Sequence, residues 1–161
     1  MNVQPKDIAR LPRDRLDAIF RDSRPGPIPV GRTRGTALLF AGSVVSSVLK
    51  PLIRFGVWKG KVFRPESADL KNLVSPFAVP AIRARVYEDA SWFDGKAAII
   101  IDYSRTSFVA RMVRDEIREV VPGLYLGQIF LGRKCIGLFM LESTVQPAVA
   151  QAATLADAAH S

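Results

Sequence analysis

Residues 109–142 read VARMVRDEIREVVPGLYLGQIFLGRKCIGLFMLE, and they predict three strands joined by short turns. Val109 to Val121 is a long alternating segment, and Leu124 to Leu131 is rich in strand-forming residues. Pro122-Gly123 between them is typical of a type II turn, because proline fixes φ and glycine accepts the positive φ that follows. Gly132-Arg133-Lys134 indicates the next turn, and Cys135 to Glu142 the third strand. The stretch therefore predicts an antiparallel meander.

The strand pattern extends upstream of this stretch. Apolar Ile82, Ala84 and Val86 alternate with polar neighbours, and Ala97 to Asp102 is an apolar strand. Asp94-Gly95 before it indicates a two-residue hairpin turn. A long twisted sheet has exposed edges, and closure into a barrel removes them. We therefore predict a mainly β fold in which an antiparallel meander closes into a barrel around an apolar cavity.

The N-terminal third predicts one or two short helices. Pro12 precedes a helical pattern of Leu16, Ile19 and Phe20, which Pro25-Gly26-Pro27 ends. A strand over 36–40 follows, and then a second helix that Ser43 could cap. The expected organisation is a single domain over 1–144, followed by an alanine-rich tail over 145–161 that is a frayed helix or disordered.

The net charge of +8 comes from one half of the chain. Residues 1–72 hold 14 Lys/Arg and 6 Asp/Glu, whereas residues 73–161 hold 9 of each. A basic face could meet an anionic membrane surface or an acidic ligand, or it could be a solvated surface. There is no dense Lys/Arg run and no RNP, zinc-finger or helix-turn-helix pattern, so we expect no nucleic-acid partner.

The cysteine and histidine content, the N-terminal residues and the absence of nucleotide-binding motifs argue against several classes of protein and site. Cys135 is the only cysteine, and the first fifteen residues carry no apolar signal segment, so we expect a cytoplasmic protein. The uncharged stretch Thr36 to Leu49 is shorter than the roughly 20 apolar residues of a membrane span. His160 is the only histidine, which makes a metal site or a histidine-dependent triad improbable. No dinucleotide or P-loop motif is present, and we expect no cofactor.

Short motifs in a fixed order resemble a known family. They are Arg34-Gly35, then Gly56-Val57-Trp58-Lys59-Gly60 with Lys61-Val62-Phe63, then Ile101-Asp102-Tyr103, Asp115-Glu116-Ile117-Arg118 and Leu124-Tyr125-Leu126-Gly127. With these motifs, over about residues 16–142, the chain resembles the bacterial and fungal G-x-W-x-G family joined to its companion domain of unknown function. The resemblance implies a lipocalin-like β barrel and no established activity.

Charged residues on the strand before Pro122-Gly123 are candidates for a polar anchor. If Val121 faces Leu124, then Arg118 pairs with Gly127, and Arg114, Glu116 and Arg118 share a face. These three side chains either point into the barrel, where ions need a partner or a ligand, or form a salt-bridge ladder in water. In the first case they would orient the polar group of an apolar ligand.

Other candidate residues line the expected cavity or end its strands. Asp102 and Tyr103 follow a buried strand and either form a proton-transfer pair or cap the strand end. Trp58 walls a ligand site or plugs one end of the barrel. The expected cavity lining is Leu38, Phe40, Trp58, Phe63, Ile99, Ile101, Tyr125, Ile129 and Phe139.

Three functions fit these patterns. The first is binding of a small hydrophobic molecule, such as a lipid, terpenoid or polyketide, with Arg114, Glu116 or Arg118 as anchor and Trp58, Tyr125, Ile129 and Phe40 in the ligand site. The second is a cofactor-independent isomerase, cyclase or hydrolase that uses Asp102, Tyr103 or Glu116 for acid–base chemistry. The third is a membrane-surface or protein-interaction module that uses the basic N-terminal half.

Overall fold

A computed structural model describes residues 4–38, 58–64, 67–74, 79–105 and 111–144. At residues 58–59, 70–74 and 79–82 it describes the backbone alone. The predicted helix after Ser43, the ligand-site residue Phe40 and the tail 145–161 lie outside the described residues. The described elements extend from Pro5 to Ser143.

Two short helices and eight strands follow one another in the described residues. The helices are α1 (Pro5–Ile8) and α2 (Arg13–Asp22). The strands are β1 (Gly31–Leu38), β2 (Trp58–Arg64), β3 (Asp69–Val74), β4 (Val79–Ala90), β5 (Ala97–Asp102), β6 (Val113–Val121), β7 (Leu124–Leu131) and β8 (Lys134–Ser143). The predicted strands over 97–102 and 124–131 have these bounds. Of the strand predicted from Val109, residues 109–110 lie outside the described residues, residues 111–112 form a turn, and β6 begins at Val113.

The strands form a closed antiparallel barrel in chain order. Each strand pairs with the next, and β8 returns to β1, where Thr33 faces Ser143 and Leu38 faces Leu138. The first residues of β1 pair with β2 instead, with Gly31 opposite Phe63. Each of the eight strands thus has a hydrogen-bonded neighbour on both sides. The predicted mainly β, lipocalin-like barrel with short N-terminal helices is confirmed.

The two faces of the barrel wall carry separate apolar clusters, because alternate side chains on a strand point to opposite faces. Inside the barrel the buried residues are Phe63, Ala84, Val86, Ile99, Ile101, Tyr103, Ile117, Tyr125, Phe139 and Leu141. Outside it, α1 and α2 cover a second cluster formed by Ile8, Leu16, Phe20, Leu38, Leu124, Leu126, Leu138 and Met140. Leu38, which we expected in the cavity, therefore packs against the helices.

The turn before β5 differs from the predicted two-residue hairpin. Strand β4 ends at Ala90 and β5 begins at Ala97, so the turn spans residues 91–96. Gly95 has the expected positive φ of 74°. Polar side chains of this longer turn contact β6: Ser91 donates a hydrogen bond to Glu116, and Asp94 accepts two from Arg118.

The turn between β6 and β7 confirms one pairing and corrects the rest of the register. Val121 faces Leu124 as predicted, and Gly123 has a φ of 81°. A bulge at Val120 then shifts the pairing by one residue. Gly127 consequently faces Ile117, and the predicted Arg118–Gly127 pair is wrong. Side chains alternate between the two faces of a strand. The one-residue shift therefore moves the β6 residues that were predicted to share a face with Tyr125 and Ile129 to the opposite face.

Candidate functional site

Arg114, Glu116 and Arg118 lie on the outer face of the barrel and do not point into it. Their neighbours across β6 and β7 are Phe130, Gln128 and Leu126. The alternative of a water-exposed ladder is also wrong, because Glu116 and Arg118 are 0% exposed. The N-terminal helices and the turn over 91–96 cover them.

Arg118 forms hydrogen bonds with three segments on the outer face: α2, the 91–96 turn and the start of β5. Its guanidinium donates to both carboxylate oxygens of Asp94 at 2.7 Å, to the carbonyl oxygen of Phe20 at 2.9 Å, and to those of Ala97 and Lys96 at 3.0 and 3.1 Å. It also stacks on the Phe20 ring, with 4.5 Å from Cζ to the ring centre. These hydrogen bonds from Arg118 hold the pKa of Asp94 below its ordinary value. Arg118 is therefore committed to holding α2 and the 91–96 turn in place.

Glu116 is likewise fully engaged. It accepts a hydrogen bond from the Ser91 hydroxyl, one from the backbone N–H of Trp92 at 2.8 Å and one from Arg114 Nε at 3.1 Å. Arg114 also donates to the carbonyl oxygen of Ala90 at 2.7 Å and lies 4.3 Å from the Trp92 ring centre. These contacts order the 91–96 turn.

Asp102 and Tyr103 point to opposite faces, so the structure does not bring them together as a proton-transfer pair. Asp102 lies outside, where it accepts a hydrogen bond from Ser104 N at 2.8 Å and one from the Tyr87 hydroxyl at 3.2 Å. Burial alone would raise the pKa of Asp102, but these hydrogen bonds and the charge of Arg85 outweigh it and lower the pKa. Asp102 caps the strand end, which is the alternative that the sequence left open.

Tyr103 points into the barrel and meets a buried ion pair there. Lys61 Nζ donates to the Tyr103 hydroxyl oxygen at 2.6 Å and to Asp115 Oδ2 at 2.9 Å. The Tyr103 hydroxyl donates to the same Asp115 oxygen at 3.0 Å. All three residues are at most 5% exposed. We call Lys61, Tyr103 and Asp115 the interior polar triad.

The backbone places each member of the triad on the inner face. Thr33 Oγ1 on β1 donates to the Lys61 carbonyl oxygen at 2.9 Å and accepts from the Lys61 N–H at 3.2 Å. This close approach of β1 depends on Gly60, because a Cβ there would stand 2.1 Å from the Thr33 carbonyl oxygen. The second glycine of the G-x-W-x-G motif therefore has a structural explanation. Asp115 on β6 pairs with Ile101 on β5. Ile101 is two residues before Tyr103, so Asp115 and Tyr103 lie on the same face.

Aromatic side chains surround the triad. Lys61 Nζ lies 5.4 Å from the ring centres of both Tyr103 and Phe139, within the range of a cation–π interaction. The Phe139 ring lies over Gly127, where a Cβ would stand 2.3 Å from the ring. Tyr125 and Ile129, two of the predicted ligand-site residues, belong to this interior. Tyr125 donates to the carbonyl oxygen of Pro27 at 2.8 Å, and its burial raises the pKa of its phenol.

An open pocket of about 100 Å³ lies at the barrel end where β2 ends and β3 begins. Its lining is Ile28, Phe63, Arg64, Ala68, Asp69 and Val86. Phe63 and Val86 also belong to the interior cluster. The pocket therefore reaches the interior wall, although it is smaller than the roughly 300–1,000 Å³ of typical ligand sites.

Sequence reasoning missed Lys61 and Asp115, yet strand periodicity contains the signal that places them. Lys61 is two residues before Phe63, an expected cavity residue, and Asp115 is two residues before Ile117. Period two puts each pair on one face. Trp58 opens β2, and its side chain lies outside the described part of the structure.

Comparison with known proteins supports the fold. No protein family matches the chain, and none of the curated proteins matches it. A crystal structure of a protein from Thermomonospora curvata is similar, with a TM-score of 0.61 and 21% identity. The match covers 84% of this chain and 89% of that one. At this identity the likeness shows a shared fold.

None of the helices in the described ranges has the length and apolarity to cross a bilayer. Within the same ranges, no group of His, Cys, Asp and Glu side chains has the arrangement of a metal site.

Proposed function

We propose that the barrel binds a small hydrophobic molecule of the lipid, terpenoid or polyketide type, with its polar end at the interior polar triad. The observation that carries this proposal is the buried ion pair between Lys61 and Asp115, with Tyr103 beside it, next to the apolar cluster inside the barrel. We further propose that the chain belongs with the G-x-W-x-G proteins. We propose a cytoplasmic location, since its single cysteine fits a reducing compartment.

Desolvation opposes the burial of the Lys61–Asp115 ion pair. Moving an ammonium and a carboxylate out of water costs several kcal/mol per ion, and the mutual attraction of a buried pair often does no more than offset it. A purely apolar interior would be as stable or more so. A ligand acceptor, such as a carboxylate or carbonyl oxygen, would gain strong hydrogen bonds from Lys61 and Tyr103 in this low dielectric. A binding role thus accounts for ions at this position.

Room for the ligand requires interior side chains to move. A lipid-sized molecule exceeds the pocket of about 100 Å³ at the barrel end. We expect Phe139 to be the side chain that moves, because its ring occupies the space above Gly127 and also faces Lys61. A rotation of this ring would open space beside Lys61.

A fluorescent fatty acid tests the proposal. Cis-parinaric acid should bind the purified protein with increased fluorescence, and its methyl ester should bind more weakly. Replacing Lys61 by Met should weaken binding of the acid by about tenfold or more, because a hydrogen bond to a charged group is worth about 1.5–3 kcal/mol. Tyr103→Phe should weaken it less.

The controls separate loss of the site from loss of the fold. Lys96→Met removes an exposed lysine of the 91–96 turn and should leave binding unchanged. Lys61→Met/Asp115→Asn removes both charges of the pair, so it avoids an uncompensated buried carboxylate. Equal affinity of the wild type and this folded double variant for the acid would refute the proposed anchor.

The hydroxyl of Tyr103 favours a second candidate function, cofactor-independent acid–base catalysis on the bound molecule. This hydroxyl contacts both an ammonium and a carboxylate, so Asp115 would accept its proton while Lys61 stabilises the phenolate that remains. The reaction would be that of an isomerase, cyclase or hydrolase. Asp102 and Glu116 take no part in this version, because they lie on the outer face.

Proton exchange into an apolar ketone tests this second function. Incubation of ionone, a terpenoid enone, with the protein in D₂O should incorporate deuterium next to the carbonyl group faster than in buffer. Tyr103→Phe should abolish the difference, whereas Tyr87→Phe on the outer face should keep it. Exchange at the buffer rate with the wild type would count against catalysis and leave the binding proposal standing.

A further inference from the structure

A patch of apolar and basic side chains projects from one end of the barrel. It consists of Met112, before β6, and of the turn between β7 and β8. Met112 and Leu131 are 61% and 43% exposed, although both are large hydrophobic residues. The backbone N–H of Gly132 donates to the Met112 carbonyl oxygen at 2.9 Å, which joins the two segments. We call residues 111–112 and 131–134 the rim patch.

The charged residues of the rim patch are all basic. Arg111, Arg133 and Lys134 are exposed, and these segments contain no acidic residue. Trp92 borders the patch, because the Arg133 guanidinium lies 4.7 Å from the centre of its ring. Trp92 in turn packs edge-on against Phe130 of β7. The patch therefore combines protruding apolar side chains, basic residues and an aromatic side chain at its border.

We propose that the rim patch docks the protein on an anionic lipid bilayer. Met112 and Leu131 would enter the acyl region, Trp92 would lie at the headgroup level, and the basic side chains would meet lipid phosphates and carboxylates. A nucleic acid would match the charge of the patch but would offer the two apolar side chains little apolar surface. The bilayer satisfies both features of the patch.

The opposite barrel end provides an internal comparison. Ile28 and Val30 are also exposed there, at 40% and 46%. That end carries Asp69, which pairs with Arg83 at 2.8 Å, so the carboxylate offsets the charge that this arginine would offer to an anionic surface. Exposed apolar residues thus occur at both ends, but Asp69 lines the same pocket as Ile28 at the opposite end, whereas the segments of the rim patch contain no acidic residue.

Vesicle co-sedimentation tests the proposal with the full chain. Vesicles of equal parts phosphatidylcholine and phosphatidylserine should pellet the wild type, and pure phosphatidylcholine vesicles should pellet far less of it. Met112→Ser/Leu131→Ser should weaken binding at least about tenfold, from the lost burial of two large side chains. Arg133→Gln/Lys134→Gln should weaken it about fivefold for each charge removed.

Matched controls decide which face binds. Val30→Ser removes an exposed apolar side chain at the other end, and Arg15→Gln removes an exposed charge on α2; both should bind like the wild type. Full vesicle binding by the rim variants, or a loss confined to the controls, would overturn the proposal. The proposal would also be overturned if the wild type did not pellet with vesicles. It would be overturned as well if the rim variants lost affinity for a short DNA duplex but kept their affinity for vesicles. None of these outcomes depends on ligand binding in the barrel.

Discussion

Replacing Arg118 by Met should destabilise the fold more than the loss of any exposed ion pair. Arg118 is 0% exposed and donates five hydrogen bonds, two of them to Asp94 and three to backbone carbonyl oxygens. Methionine matches much of its length and apolar stem but donates none of them. The Asp94 carboxylate, whose side chain is 10% exposed, then loses the guanidinium that contacts both of its oxygens.

The magnitude follows from that loss. Removing one partner of a buried ion pair costs about 3–5 kcal/mol, because the remaining charge is desolvated without compensation. The free energy of unfolding of a domain is about 5–15 kcal/mol, so the variant should remain folded but marginal. Adding Asp94→Asn to Arg118→Met removes the stranded charge and should recover part of the loss.

Urea unfolding followed by circular dichroism measures these differences. Arg83→Met is the matched control, because the Arg83 side chain is 59% exposed in its pair with Asp69, and such pairs contribute about 0–1 kcal/mol. If Arg118→Met cost no more than Arg83→Met, the attachment of α2 and the 91–96 turn through Arg118 would be refuted.

Three further predictions concern other parts of the structure. Arg118 lowers the pKa of Asp94, so the stabilisation that ionised Asp94 contributes is present above the ordinary aspartate pKa and is lost as the pH falls through its lower pKa in the folded state. The stability advantage of the wild type over Asp94→Asn should therefore shrink below about pH 4 in acid titrations followed by fluorescence. Gly127→Ala places a Cβ 2.3 Å from the Phe139 ring and should cost about 1–3 kcal/mol in urea unfolding, and an added Phe139→Leu that recovered none of this would argue against the clash. Burial raises the pKa of the Cys135 thiol, so alkylation by iodoacetamide at pH 8 should be slower than that of a cysteine peptide, and an equal rate would contradict this environment.

The fold could be predicted from the sequence because turn residues and strand patterns act locally. Pro122-Gly123 sets a turn through backbone conformation alone, and it lies between β6 and β7 as expected. The register could not be predicted, since the bulge at Val120 is a nonlocal feature. There the Glu119 N–H donates to the Arg24 carbonyl oxygen, and the Glu119 side chain accepts from Gly123 N. One extra residue then reversed the predicted inner and outer faces.

The candidate site was only partly predictable for the same reason. Tyr103 was chosen from its place at the end of a buried strand, and it lies in the interior. Its expected partner was its neighbour in sequence, whereas its actual partners are Lys61 and Asp115 from other strands. A charged residue on a strand does not indicate which face of the barrel wall it occupies. The outer face is also buried here, because helices cover it, and both faces carry charged residues.

Methyl NMR on selectively labelled isoleucines tests most directly where a ligand binds. Ile99, Ile101 and Ile117 point into the barrel, whereas Ile100 lies on the other face of β5 and Ile19 on α2 packs against the outer cluster. On titration with cis-parinaric acid, binding inside the barrel should give saturable shifts at the methyl groups of the three interior isoleucines and none at Ile19 or Ile100. Shifts confined to the outer isoleucines, or no shift at all at saturating ligand, would contradict binding inside the barrel.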